Sequence, residues 1–177
     1  IINERKNKKR IAFKDIPNGK VLENLLQKNF VTMSTLMIRK NILELLDYNF
    51  NPRYEIIGDF DLVLRLAQIT ICKSLQEPLA YYRQHEQNLT HLKIETNIKE
   101  LVDLHIYLKK NDNITKSNNY LLFKNNIIFS HSLILILKGK RVQAFIKIIE
   151  SRSFIHFTKF LLILILPKNF IRKLRSR

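Results

Sequence analysis

The hydrophobic period of this chain changes once, near Thr90, and the change limits the folds open to it. Before Thr90, short apolar runs rich in β-branched residues alternate with turn signals and brief helical patterns. From His91 onward no strand signal remains, and apolar residues recur at helical spacing. The chain therefore reads as two parts, residues 1–90 and residues 91–177. The expected fold class is an α/β fragment with a few strands followed by an α-helical tail, mostly helical overall.

In the first part, Pro17-Asn18-Gly19 marks a turn after a polar, basic start. Val21 to Asn29 has a short helical pattern. Phe30 to Ile38 (FVTMSTLMI) reads as a buried strand, and a short helix is expected around Ile42 to Leu46. Pro52 breaks the loop that follows. A helix then opens at Asp59, with Leu62, Leu66 and Ile69 on one apolar face, widened by Val63 and Ala67. ITICKSL and PLAYYR are strand candidates joined by a turn at Gln76-Glu77-Pro78. In the tail, Ile98, Leu101, Val102 and Leu108 share one face of an amphipathic helix. NDNITKSNN is a linker, and two more helices are separated near Gly139.

Composition narrows the chemistry. A hydrophobic fraction of 46% is ample for a core. Three glycines in 177 residues leave no Gly-rich turn able to cradle phosphate. The single cysteine, Cys72, lies in an apolar run and reads as a buried small residue; no Cys/His spacing for a metal cluster exists. A net charge of +16, from 31 basic and 15 acidic residues, points to an anionic partner. With Ile1 first and no signal-peptide pattern, the chain reads as a piece of a longer protein.

After Glu150 there are seven basic residues and no acidic one. The apolar run Phe160 to Leu166 is far short of the roughly 20 residues a spanning helix needs. Two readings stay open: a helix lying on an acidic bilayer surface, or a core helix with a solvated basic end.

The chemistry-bearing residues lie at element ends. Asp59, at the mouth of an apolar helix, is on pattern alone a helix N-cap. Its functional reading is a general base. Asp61 falls in the first turn, where an acid is favoured by the helix dipole. Asp59-Phe60-Asp61 also matches an Asp-x-Asp metal pattern, but no strong apolar strand precedes it. Arg83 and His85 point to one side of an extended stretch, an arginine suited to phosphate or carboxylate and a histidine suited to metal or phosphate.

Three segments, LLQKNFVTMSTLMIRKN, NFNPRYEIIGDFDLVLRLA and LQEPLAYYRQHEQNLT, resemble in order and spacing the C-terminal half of the catalytic domain of family-2-type glycosyltransferases. The match covers Val21 to Thr90 and includes Arg39-Lys40, Asp59, Asp61-Leu62, Arg65-Leu66 and the Tyr82-Arg83-Gln84-His85 run. The resemblance implies a partial GT-A-type domain in residues 1–90, with the nucleotide-binding half absent, and a helical tail in 91–177. It implies Asp59 as catalytic base in an inverting, hexosyltransferase-like sugar transfer from a nucleotide-sugar donor to a glycan or lipid-linked acceptor, in surface polysaccharide synthesis. Asp61, Arg83 and His85 are implied to contact substrate, with His85 also a metal ligand. A divalent metal, Mn or Mg, is implied for the longer enzyme, its main ligands lying outside this chain. The implied location is cytoplasmic, peripheral to the inner face of the cell membrane, with an acidic membrane surface as partner and no nucleic acid. Where the family has Glu before the base, this chain has Gly58. The alternative is a basic helical module that binds nucleic acid or a membrane surface without catalysis.

Overall fold

The computed structural model describes residues 2–3, 8–9, 11, 13–84 and 87–166, and in these the chain is mostly helical. It divides into two compact units, Ile1–Leu104 and His105–Arg177.

The first unit is organised around α3 (Gly58–Ile69), which packs against α1 (Leu22–Gln27). Val21, Leu25 and Leu26 from the α1 segment are buried, as are Phe60, Leu62, Val63, Leu64 and Leu66 of α3. Burying such side chains contributes about 1.5–3 kcal/mol each. The expected face of α3 is only part of what is covered. Phe60 and Leu64 are buried as well, so neighbours cover this helix on several sides. Ile69 is exposed, because the helix ends beside it and Thr70 is already extended. Short helices α2 (Lys40–Leu43) and α4 (Leu89–Leu92) lie along the same unit, which also takes α5 (Ile94–Leu108) as far as Leu104.

The mostly helical character is as expected, but the α/β fragment is not shown. Phe30 to Ile38 is no strand; it is interrupted by a single 3-10 turn, Met33–Thr35, in which the Thr35 hydroxyl donates to the Thr32 carbonyl. ITICKSL contributes one antiparallel bridge, in which Gly19 and Cys72 exchange both backbone bonds at 2.8 Å. In PLAYYR the described strand pairing begins only at Arg83. The extended pieces are β1 (Ile2–Asn3), β2 (Lys8–Lys9) and β3 (Arg83–Gln84), in the order β2-β1-β3, with β1 antiparallel to β2 and parallel to β3. The physical reason lies in what a strand requires. β-branched runs become strands only beside a partner that takes their N–H and C=O groups, and no long partner stands among the described residues. Cys72 is half-buried rather than a core residue, and burial pushes its thiol up.

The second unit begins in the last turn of α5 and continues through α6 (Asp112–Thr115), α7 (Tyr120–Leu137), α8 (Arg141–Ile149) and α9 (Phe154–Ile165). The segment expected as a linker holds α6. The Asn111 side chain caps it by accepting from the Asn113 N–H, and Ile114 is fully buried. Ile128, Ile136, Ala144, Ile148 and Phe160 form a core between α7, α8 and α9. Gly139 ends α7 at φ 82°, where Gly139 N–H donates to Ile136 and Lys140 N–H donates to Leu135. That paired closure needs a left-handed residue, which explains the break expected at this glycine. By length and composition α7 is the one described helix long and apolar enough to cross a membrane, yet Ile128 and Ile136 on it belong to the core.

Three histidines tie this unit to pH. His156 is buried between Ser153 and Asn126, an arrangement satisfied by the neutral ring: Nε2–H donates to Asn126 Oδ1 at 3.1 Å, and Nδ1 accepts from Ser153 Oγ at 2.8 Å. His105 stacks on Tyr120, with Nδ1 3.1 Å from its hydroxyl. Burial pushes His105, His131 and His156 below the usual histidine value, and nearby lysines add to the effect in each. Each therefore binds its proton less readily folded than unfolded. Their contribution to stability is complete above the unfolded value of about 6.5 and is lost as pH falls through the window beneath it. The unfolding temperature of the second unit, followed in the whole chain, is expected to drop by several degrees on acidification through that window. A flat or rising profile contradicts this.

Candidate functional site

The start of α3 is held by two buried carboxylates that the chain supplies from different places. Glu100, on α5, accepts three consecutive backbone N–H groups, from Glu55 at 2.8 Å, Ile56 at 2.9 Å and Ile57 at 3.0 Å. Ile57 is the N-cap of α3 and has no capping side chain of its own, and Glu100 fixes the approach to the helix instead, taking the N–H groups of the two residues before the cap and of the cap itself. Lys93 pairs with Glu55, and Tyr54 donates to Asp103 Oδ2 at 3.3 Å. Burial, and then the Asp103 carboxylate, push the Tyr54 phenol well above its ordinary value. The loop before α3 is thus fastened to α5 along its whole end.

Asp61 is the second carboxylate. It is 1% exposed and accepts from Arg65 Nε at 3.0 Å, one helical turn away. The same guanidinium donates to the Tyr48 and Asn49 carbonyls, each at 2.6 Å, and lies over the Tyr48 ring, 4.3 Å from its centroid. All three nitrogens of Arg65 are therefore engaged, and the pair pins the Tyr48–Asn49 loop onto α3. Burial pushes the Asp61 carboxyl up, with Arg65 acting in the opposite direction.

Asp59 stands apart from both. It is half-buried in the first turn of α3, and among the described residues its one hydrogen bond is local: Oδ1 accepts from the Phe60 N–H at 2.7 Å. Asp59 is not the N-cap, which falls at Ile57. At 100° per residue, Asp59 and Asp61 sit about 200° apart around the helix. An Asp-x-Asp on a strand aims both carboxylates one way; here the helix aims them apart. The two acids cannot close on one metal ion, and among the described residues no group of three or more metal-ligating side chains exists. The described residues do not by themselves fit a divalent metal.

The remaining expected residues are less gathered. Arg83 is exposed in β3, and its carbonyl accepts from Asn88 Nδ2 at 3.3 Å. His85 lies outside the described residues. Gly58 takes an ordinary helical conformation, and a Cβ built on it would stand 3.9 Å from the Phe50 ring. A side chain fits there, so the absence of a carboxylate before Asp59 is not a steric demand. Sequence reasoning missed Glu100. Its one signal is an acid beside the apolar face of an amphipathic helix, and its partners are backbone groups that no residue type announces.

Glu100→Gln is expected to cost about 1–3 kcal/mol, because an amide offers one accepting oxygen where the carboxylate offers two. Urea unfolding of the whole chain measures this, and an unchanged midpoint contradicts it.

No family model matches the chain, and no curated protein or solved structure matches it.

Proposed function

We propose that this chain is the acceptor-and-base half of an inverting, GT-A-type glycosyltransferase of the family-2 kind, acting in surface polysaccharide synthesis. The observation that carries the reading is the division of labour between the two acids of α3. Asp61 is buried and bound to Arg65, whereas Asp59 keeps an oxygen outside any described bond, on a helix end fixed by Glu100. A general base needs that combination: a carboxylate free to accept, on a backbone that does not move.

In the proposed reaction, Asp59 takes the proton of an acceptor hydroxyl as that oxygen attacks the anomeric carbon of a nucleotide-sugar. The bond from that carbon to the diphosphate oxygen breaks, the configuration inverts, and the diphosphate leaves with the electron pair. Arg83 and His85 are assigned to the diphosphate side, and Asp61 supports the site through Arg65 rather than by touching substrate. The nucleotide-binding half, with the metal ligands, belongs to the longer protein. Support for such a half comes from exposed apolar side chains on the first unit, Met37, Ile71, Leu75 and Leu79, which fall in the stretches that did not become strands. The proposed location is the inner face of the cell membrane. The test is sugar transfer by an Asp59→Asn variant of the longer protein; unchanged transfer sinks the proposal.

A further inference from the structure

The second unit leaves two apolar stripes uncovered. On α8, Val142, Phe145, Ile146 and Ile149 recur at helical spacing and are exposed, Val142 at 75% and Ile146 at 61%. Ala144 and Ile148, on the other side of the helix, are fully buried. On α9, Phe154, Ile155, Leu161, Leu162 and Ile165 behave alike, Leu162 at 67% and Ile165 at 84%, while Phe160 fills the core. Each helix therefore has one apolar face for its neighbours and a second that is largely exposed. The stripes join where the Phe145 ring meets Phe157 edge-on, with centroids 6.0 Å apart. A continuous apolar surface of this kind marks an interaction site.

Charge identifies the partner. Residues 105–166 hold ten Lys and Arg against two acids, Asp112 and Glu150, and Glu150 is paired with Lys147. Exposed Lys140, Arg141, Arg152 and Lys159 lie on or beside the two helices. A second copy of so basic a unit is repelled. Nucleic acid matches the charge but gives aliphatic side chains such as Ile146, Leu162 and Ile165 no base to stack on. Helix α9 has 12 residues, too few to span where roughly 20 are needed.

We propose that the α8–α9 face docks on an anionic lipid bilayer, its apolar stripes entering the boundary between headgroups and acyl chains, with Lys140, Arg141, Arg152 and Lys159 on lipid phosphates. The inference deepens the membrane location given above and is independent of the sugar chemistry, so its failure leaves the Asp59 test standing.

The experiment is flotation of the whole chain with vesicles of phosphatidylcholine alone or mixed with phosphatidylglycerol. Binding is expected to the mixed vesicles, weakening with added salt. Lys140→Gln and Lys159→Gln each lower the affinity about fivefold. Ile146→Ser with Leu162→Ser lowers it about tenfold or more, with helical content unchanged by circular dichroism because both residues are exposed. Equal binding to neutral vesicles overturns the proposal. So does an affinity that ignores both pairs of substitutions, and so does concentration-dependent dimerisation or retention on DNA without vesicle binding.

Discussion

Asp59→Asn is expected to lower kcat for sugar transfer by about 10²–10⁴-fold in the longer enzyme, the range that removal of a general base commonly gives. The substitution is close to isosteric. The asparagine Oδ1 still accepts from the Phe60 N–H, so the first turn of α3 keeps its one bond from this side chain. What is lost is the capacity to take a proton from the acceptor. Thermal stability is therefore expected to be unchanged and the acceptor KM little affected, since the defect falls in the transition state. A variant with normal kcat removes Asp59 from the chemistry. A variant that loses activity together with stability assigns Asp59 a structural part instead.

Asp61→Ala has the opposite signature. It is expected to destabilise the first unit by about 3–5 kcal/mol, the usual cost of removing one partner of a buried ion pair. Arg65, only 12% exposed, keeps its bonds to the Tyr48 and Asn49 carbonyls but loses the negative charge that balances it. The Tyr48–Asn49 loop is expected to loosen with it. Urea unfolding of the whole chain reads the effect, and a loss below about 1 kcal/mol marks the pair as no better than a surface one. Its pH dependence runs against that of the histidines. The Asp61 carboxyl lies above its unfolded value of 3.8, so the folded state holds the proton more readily. Stability from this group is greatest at the acid end and falls as pH rises through the window above 3.8. Taken together, the two substitutions separate two acids that stand two residues apart.

Much of the helical architecture was legible because its signals are local. The opening of α3 near Asp59, the amphipathic pattern around Ile98 and Leu108, and the stop at Gly139 depend on spacing within one helix or on one residue's conformational freedom. The C-terminal helix carries both a core residue, the buried Phe160, and exposed apolar ones, Leu162 and Ile165, and its period alone does not tell the two faces apart. The α/β part of the fold expectation is not shown, for a different reason. FVTMSTLMI, ITICKSL and PLAYYR carry strand composition, but a strand exists only with a partner. Among the described residues, the strand pairing in these stretches is the bridge at Cys72 and the start of β3 at Arg83.

The candidate site divides along the same line. By itself the sequence determined that an acid-bearing helix begins at Gly58-Asp59, that the chain is strongly basic, and that everything beyond Thr90 favours helix. Only the tertiary structure decided which acid is available. It buried Asp61 against Arg65, left Asp59 half-open, and brought Glu100 from 43 residues away to bind the Ile57 N–H. The physical reason is that period and propensity act along the chain, while desolvation and hydrogen-bond partnership are set by groups arriving from elsewhere in it. Two aspartates that look alike in sequence acquire different chemistry from what folds against them.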